Sequence, residues 1–287
     1  MSRPSVDLVV PFAGSDAALA ELLERLGPVQ LAEGDTLTVV DNRPDAVDRD
    51  GTVLAAPAQQ SSYYARNRGA ERGRAPWILF IDADVDPPRD LLDRYFDTEP
   101  GDEVAVLAGG VEDAPLPPRP TRAERYAVRA EQMSQENTLR AGAWAYAQTA
   151  NAAIRREAFD QVGGFEEGIR SGGDADLCFR LRVAGWELAS RPDARVVHHN
   201  RASTRSFLRQ KARHGAGAAW LDSRYPGSFP PRDRRFWIVR LLRELKTAVP
   251  MVARGRPAEA ADLLFPTIVV WAFELGRFLP NRARGSR

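Results

Sequence analysis

Two aspartates one residue apart close an apolar run near the middle of the first half of the chain, in Ile81-Asp82-Ala83-Asp84-Val85-Asp86-Pro87-Pro88. In an extended segment alternate side chains project to the same side, so Asp82 and Asp84 can share a hard cation, which can bridge phosphate oxygens and neutralise a departing diphosphate. The competing reading is a solvated acidic turn. A second pair, Asp174 and Asp176 in Gly172-Gly173-Asp174-Ala175-Asp176, opens an amphipathic stretch. Carboxylates there complement a helix N-terminus, but one would suffice as a cap, and an ionised aspartate in a cleft can take a proton from a hydroxyl. Of the three histidines, His198 and His199 are adjacent at the end of a β-type run. Neutral imidazole ligates metals, and strand alternation sends the two rings to opposite faces, so one of them faces a given metal, with His199 favoured. His214, among Lys211 and Arg213, reads as structural or as a phosphate contact. Arg66 and Asn67 stand in a basic stretch with Gly69 and Gly73 and can meet a nucleotide or diphosphate, or merely line a solvated helix face. No G-x-x-x-x-G-K-[ST] segment occurs and no G-x-G-x-x-G follows the first strand, which argues against P-loop and dinucleotide chemistry.

The elements that must position these residues alternate. Val6–Phe12 reads as a buried strand, and Leu19, Leu22, Leu23 and Leu26 recur at helical spacing behind a Ser15/Asp16 cap. Strands are expected at Thr36–Val40, Val53–Ala56, Trp77–Ile81 and Val104–Ala108, with a helix over Ser62–Gly73. Such alternation implies an α/β fold with a mostly parallel sheet covered on both faces, whose ligands bind outside the carboxyl ends of the strands. Asp41-Asn42 and Asp82-Ala83-Asp84 both follow strands directly, so both clusters should face one crevice. The proline-rich segment 114–120 reads as a surface loop, 121–141 and 174–185 as helices, and 148–154 as a strand or loop lining the site.

From residue 202 the pattern is helical. Trp237, Leu241, Leu242, Leu245, Ala248 and Val252 form one apolar face opposite Arg240, Arg243 and Lys246. The run at 263–273 is too short to span a bilayer, and Pro266 interrupts it. The 287 residues carry a net charge of +1, yet residues 201–287 hold 18 Lys and Arg against 6 Asp and Glu. A basic C-terminal third suits an anionic membrane surface or acidic partner, or is a solvated face. One cysteine, Cys178, forms no internal disulfide and fits a reducing compartment. No secretory leader is visible, so a cytoplasmic location is expected, with peripheral contact at the inner face of the cell membrane.

Taken in order, VVPF, VVDN, ARNRGAERG, FIDADVDPP, QTANAAIRREAFDQVGGFEE, GGDADLCFRL and VVHH over residues 5–215 resemble the family 2 glycosyltransferases, inverting enzymes of the GT-A fold. The resemblance implies a Rossmann-like catalytic domain over 1–215, followed by a basic amphipathic helical region over 216–287. It implies Pro11 and Asp41 at the nucleotide, Arg66 close by, Asp82 and Asp84 holding metal (Mn²⁺ or Mg²⁺) and diphosphate, and His198 or His199 as a further ligand. Asp174 would be the catalytic base. Asn151, Gly164 and Phe165 would line the donor-sugar and acceptor region, joined by Gly173 and Asp176. The family commonly has glutamate before the base, where this chain has Gly173, a departure that bears on acceptor contacts. Gln210, Lys211, Ala212, Arg213 and His214 only echo the Gln-x-x-Arg-Trp motif of processive synthases, which favours transfer of a single sugar. The implied donor is a nucleotide sugar, commonly UDP-linked, and the acceptor a lipid-linked or small molecule, with no nucleic-acid partner. Two rivals remain: a nucleotidyltransferase, which would release pyrophosphate, and a non-catalytic membrane-surface scaffold on a degenerate transferase fold.

Overall fold

The computed structural model describes residues 3–49 and 51–285. It divides into two compact units, one comprising the chain up to Ala114, Met133–His199 and the chain from Arg282, the other Pro115–Gln132 and Asn200–Asn281. The expected division at 215/216 falls inside a continuous helix, and the units separate instead at 199/200 and on either side of 115–132.

The first unit is a βα alternation around one sheet. β1 (Val6–Phe12), β2 (Thr36–Asp41), β3 (Val53–Ala55) and β4 (Trp77–Ile81) run parallel, in the order β3-β2-β1-β4. β5 (Val85–Asp86), β6 (Val104–Asp113), β7 (Asn151–Arg155) and β8 (Glu187–His198) continue it as β4-β7-β6-β8-β5. β7 runs against β4 and β6, and β5 against β8, so six of these eight strands share one direction and the expected mostly parallel sheet forms. β1 and β4 are buried along their length because the sheet is covered on both faces, as their near-continuous apolar sequences demand. α1 (Asp16–Leu26) starts where the Ser15 hydroxyl accepts the Ala18 N–H at 3.2 Å, and it buries Leu19, Leu22 and Leu26. α2 (Ser62–Arg72) is capped by Ser61. α3 (Leu91–Tyr95) follows β5.

The expected helix over 121–141 is broken. α4 (Arg122–Arg129) begins in a capping box between Thr121 and Glu124 and stops before Glu131, which takes a positive φ of 44°. Ser134 then caps a separate α5 (Gln135–Leu139), followed by a 3₁₀ turn at Gly142–Trp144. α6 (Arg156–Gln161) and α7 (Gly173–Val183) complete the first unit's helices. β6 runs five residues past the expected Ala108 because Gly109 admits close neighbours: a Cβ there would lie 2.2 Å from the Tyr95 hydroxyl.

In the second unit α10 (Pro257–Gly276) packs against α8 (Thr204–Arg224) and α9 (Arg234–Ala253), and α4 lies against α8 and α10. Phe207, Phe265 and Val269 bury against Ala123 and Ala127, with Tyr126 edge-on to both phenyl rings. α8 and α10 approach so closely that a Cβ on Gly276 would lie 2.0 Å from the Ala212 carbonyl oxygen. Pro266, expected to interrupt the apolar run, lies inside α10 next to the buried Phe265. The single apolar face expected on α9 is in fact two stripes. Trp237, Leu241 and Ala248 are at least partly covered, while Leu242, Leu245 and Val252 are exposed.

Candidate active site

The C-terminal end of β4 and the N-terminus of α7 bring three charged side chains together. Arg66, on α2, is almost fully buried and donates to Asp82 Oδ1 at 2.5 Å. Its guanidinium lies 5.8 Å from the ring centroids of both Tyr63 and Phe165. Asp174, in the first turn of α7 after the left-handed Gly172, accepts from the Thr149 hydroxyl at 2.9 Å. Burial pushes the Asp174 carboxyl above the ordinary carboxylate range; the nearby Arg66 charge opposes this, Asp82 reinforces it, and the Thr149 hydrogen bonds oppose it again. A half-buried, satisfied carboxylate made more basic in this way is suited to accept a proton. The Tyr146 hydroxyl is held protonated by burial and by the charge of Asp174.

The second cluster lies where β5 pairs with the end of β8, and it reverses the preference between the histidines. His198, buried, faces Asp84, with Nε2 3.8 Å from Oδ1, and its Nδ1 is 3.8 Å from Asp113 Oδ1. His199 is exposed and committed elsewhere: its Nε2 lies 2.6 Å from Asp86 Oδ2, and Asp86 also accepts from Arg25 at 3.0 Å. Strand alternation separates the rings as expected, but the antiparallel pairing Val85↔His198 gives His198 the position beside Asp84.

Among the described residues no three His, Cys, Asp or Glu groups are gathered closely enough to hold a metal ion. The pair Asp84 and His198 nevertheless fits two ligands of one cation, since atoms about 2.1 Å from a shared metal lie about 3–4 Å apart. The His198 Nδ1 is buried without a hydrogen bond and faces Asp113, the carboxylate that would orient a ligating imidazole. Asp82, expected as the third group, is engaged by Arg66.

Several expected site residues are engaged within the protein. Asn151 is fully buried: its Nδ2 donates to the carbonyls of Gly110 (2.8 Å) and Ala194 (2.7 Å), and its Oδ1 accepts from Tyr95 Oη at 2.7 Å, which leaves nothing for a donor sugar. Asp176 is fully buried against Arg180 at 2.9 Å, and Arg180 in turn donates to the Val162 and Gly164 carbonyls, so this carboxylate fixes the Gly163-Gly164-Phe165 turn. Asn67 holds the same turn through the Phe165 backbone, accepting and donating at 2.9 Å. Phe165 is buried, stacked on Tyr63 and edge-on to Phe80. Gly164 takes φ 69°, a conformation that suits glycine. Asp41 is fully buried and clamped by Arg43 at 2.6–3.1 Å, while Pro11 pairs with Val40 at the same carboxyl end of the parallel strands. The Cys178 thiol is buried and pushed up to about 12, inert as expected of a core cysteine. His214 belongs to α8, where burial, with Lys211, Arg213 and Arg201, pushes its imidazole down to about 3 and keeps it neutral.

Gly173, where the resemblance leads one to expect glutamate, is closed by an aromatic ring: a Cβ there would lie 2.7 Å from Tyr63. Thr149, Asp113 and Arg43 were not singled out in the sequence. Thr149 sits in the Gln148-Thr149-Ala150-Asn151 segment expected to line the site, but neither Asp113 nor Arg43 has a local signal, because each matters only through a partner distant in the fold or across a tight turn.

A family model described as glycosyltransferase-like family 2 matches residues 4–217. The chain belongs to this family. Its relatives include a pre-mycofactocin glycosyltransferase of Mycobacterium tuberculosis, 28% identical over 235 residues, covering 80% of this chain and 50% of that protein. Glycosyltransferase AglE of Haloferax volcanii is 31% identical over 165 residues, 58% of this chain and 53% of that protein. This family 2 chain thus spans about half the length of the curated relatives it matches. In fold it is similar to a mannosyltransferase from Pyrobaculum calidifontis solved with GDP-Man and Mn²⁺, at TM-score 0.59 and 16% identity over 96% of this chain and 87% of that one. It is also similar to GalNAc-T7 with UDP, GalNAc and Mn²⁺, at TM-score 0.53 and 11% identity over 84% and 51% of the two chains. These likenesses establish the GT-A fold for the family 2 chain.

Proposed function

We propose that this family 2 chain transfers a single sugar from a nucleoside-diphosphate sugar to an acceptor hydroxyl, with inversion at the anomeric carbon. The observation that carries the reading is the cluster of Asp82, Arg66 and Asp174, in which a basic, hydrogen-bonded carboxylate sits beside an Asp-x-Asp strand end. Asp174 accepts the proton of the acceptor hydroxyl as its oxygen attacks the anomeric carbon on the face opposite the departing diphosphate. Direct displacement needs no covalent intermediate, and its acceleration comes from alignment of the two substrates and electrostatic stabilisation of the leaving group. Asp84 and His198, with Asp82, would hold a divalent cation, Mn²⁺ or Mg²⁺, which when bound neutralises charge on the leaving diphosphate. Arg66 orients Asp82, and Asp113 orients His198. A UDP-linked donor is the family's common choice; one fold neighbour was solved with UDP and another with GDP-Man, each with Mn²⁺. The acceptor in this reading is a lipid-linked or small molecule, and the enzyme works in the cytoplasm.

The test is product analysis of the purified chain incubated with Mn²⁺, sugar nucleotides and an acceptor panel. Release of a nucleoside diphosphate with an inverted glycoside, reduced about 10²–10⁴-fold in Asp174→Asn, is the expected outcome. Pyrophosphate release would point to nucleotidyl transfer, and undiminished turnover in Asp174→Asn would remove the assigned base and favour the scaffold.

A further inference from the structure

α9 carries an apolar stripe that its own unit leaves uncovered. Ile238, Leu242, Leu245, Val249 and Val252 are all exposed, Leu242 by 62% and Val249 by 64%, at alternating spacings of four and three residues that keep them on one side of the helix. The neighbouring stripe, Trp237, Leu241, Glu244 and Ala248, is at least partly covered, so α9 is apolar over a wider arc than packing within its unit requires. The exposed surface continues past the C-terminus of α10, where Phe278 is 70% exposed and lies 5.3 Å beneath the Arg234 guanidinium. Between α9 and α10 a shallow groove, walled by Trp237, Val270, Trp271, Leu275 and Phe278, also presents Arg232, Arg234 and Glu274. The indole Nε1 of Trp271 is buried without a hydrogen bond.

The exposed charges along α9 are of one sign. Residues 234–256 hold seven arginines and lysines and a single acid, Glu244, which pairs with Arg240 at 2.7 Å. Arg234, Arg235, Arg243, Lys246 and Arg254 are exposed with no exposed acid between them, while the exposed Asp233 and Glu259 flank the span and Glu259 pairs with Arg256. A second copy of the chain laid on the stripe by a two-fold axis would bring this positive charge against itself. An anionic lipid surface compensates the charge and accepts the apolar side chains together. Among the described residues no helix is long and apolar enough to cross a membrane.

We infer that α9 and the end of α10 form a docking surface for an anionic phospholipid bilayer, with the exposed stripe entering the headgroup–acyl boundary and the flanking arginines and lysines meeting lipid phosphates. The α9–α10 groove offers an acyl chain an apolar wall, with the guanidinium groups of Arg232 and Arg234 and the Glu274 carboxylate in its lining. The inference stands on the second unit alone and does not depend on the transfer reading.

The experiment is sedimentation of the full chain with vesicles of phosphatidylcholine alone or containing phosphatidylglycerol, beside the Leu242→Glu/Val249→Glu variant. Wild type should pellet with phosphatidylglycerol vesicles and be released by salt, and the pair of substitutions should weaken partitioning at least ~100-fold, since burying each such side chain is worth roughly tenfold or more. Both replaced residues are exposed, and circular dichroism checks that helix content is kept. Arg243→Gln/Lys246→Gln should lose about 25-fold, roughly fivefold per cation near an anionic surface. Wild type that ignores phosphatidylglycerol vesicles, or a Leu242→Glu/Val249→Glu variant that pellets as before, overturns the inference. A dimer in solution that this variant splits, with no vesicle binding, would assign the stripe to a second copy instead.

Discussion

Replacing Thr149 with valine removes the hydroxyl that donates to Asp174 at 2.9 Å while preserving side-chain shape. Hydrogen bonds to charged groups contribute about 1.5–3 kcal/mol. Because Arg66 remains nearby and the Thr149 backbone N–H still approaches at 3.5 Å, the low end applies, roughly tenfold in the equilibrium between carboxylate and carboxylic acid. The lost bond stabilised the ionised form, so the valine variant holds its proton to higher pH. If Asp174 is the base, kcat/KM should fall to about one tenth of wild type on the acid side of the pH profile, and the two enzymes should converge once the carboxylate is ionised in both. The assay is kcat/KM against pH for wild type, Thr149→Val and Thr149→Ser, with serine expected to restore the profile. A uniform loss at every pH would show that Thr149 only supports the fold; coincident profiles would show that Asp174 is not the group that must lose a proton.

The same carboxyl leaves a mark on stability: its folded pKa is raised, so its favourable contribution is present at low pH and is lost as pH rises through that folded value. Asp174→Asn should therefore melt higher than wild type near neutral pH, with the gap closing toward pH 4, as read by thermal unfolding. His198→Ala should abolish a Mn²⁺-dependent rise in melting temperature with a nucleoside diphosphate, and His199→Ala should leave it, because only His198 faces Asp84; the opposite result would return the ligand role to His199. Gly173→Ala should cost about 1–3 kcal/mol in denaturant unfolding, since its Cβ would meet the Tyr63 ring, and the cost should shrink in a Tyr63→Ala background.

β1, β2 and β4 were readable because each is an apolar run largely buried in the sheet, whereas the polar, less buried β8 was legible only at its end; Asp82 was readable because it follows such a strand and Asp174 because it opens a helix. The long helix expected over 121–141 was misjudged because helical spacing survives the positive-φ break at Glu131, which changes no apolar position. Asn151 and Asp176 have the residue types of a binding site, but their hydrogen bonds to Tyr95 and Arg180 depend on packing that sequence spacing does not express. Thr149 became visible only once α7 delivered Asp174 beside it.

By itself, then, the sequence determined the α/β class, the strands that carry carboxylates at their ends, and the segregation of positive charge into the C-terminal helices, because periodicity and charge are local properties of the chain. The tertiary structure decided which of those groups meet. It placed Arg66 on Asp82, turned His198 rather than His199 toward Asp84 through the Val85↔His198 register, buried Asn151 and Asp176 in the scaffold, and left one stripe of α9 uncovered. Each outcome depends on residues brought together across the fold, where a single residue of register reverses which side chain faces the site.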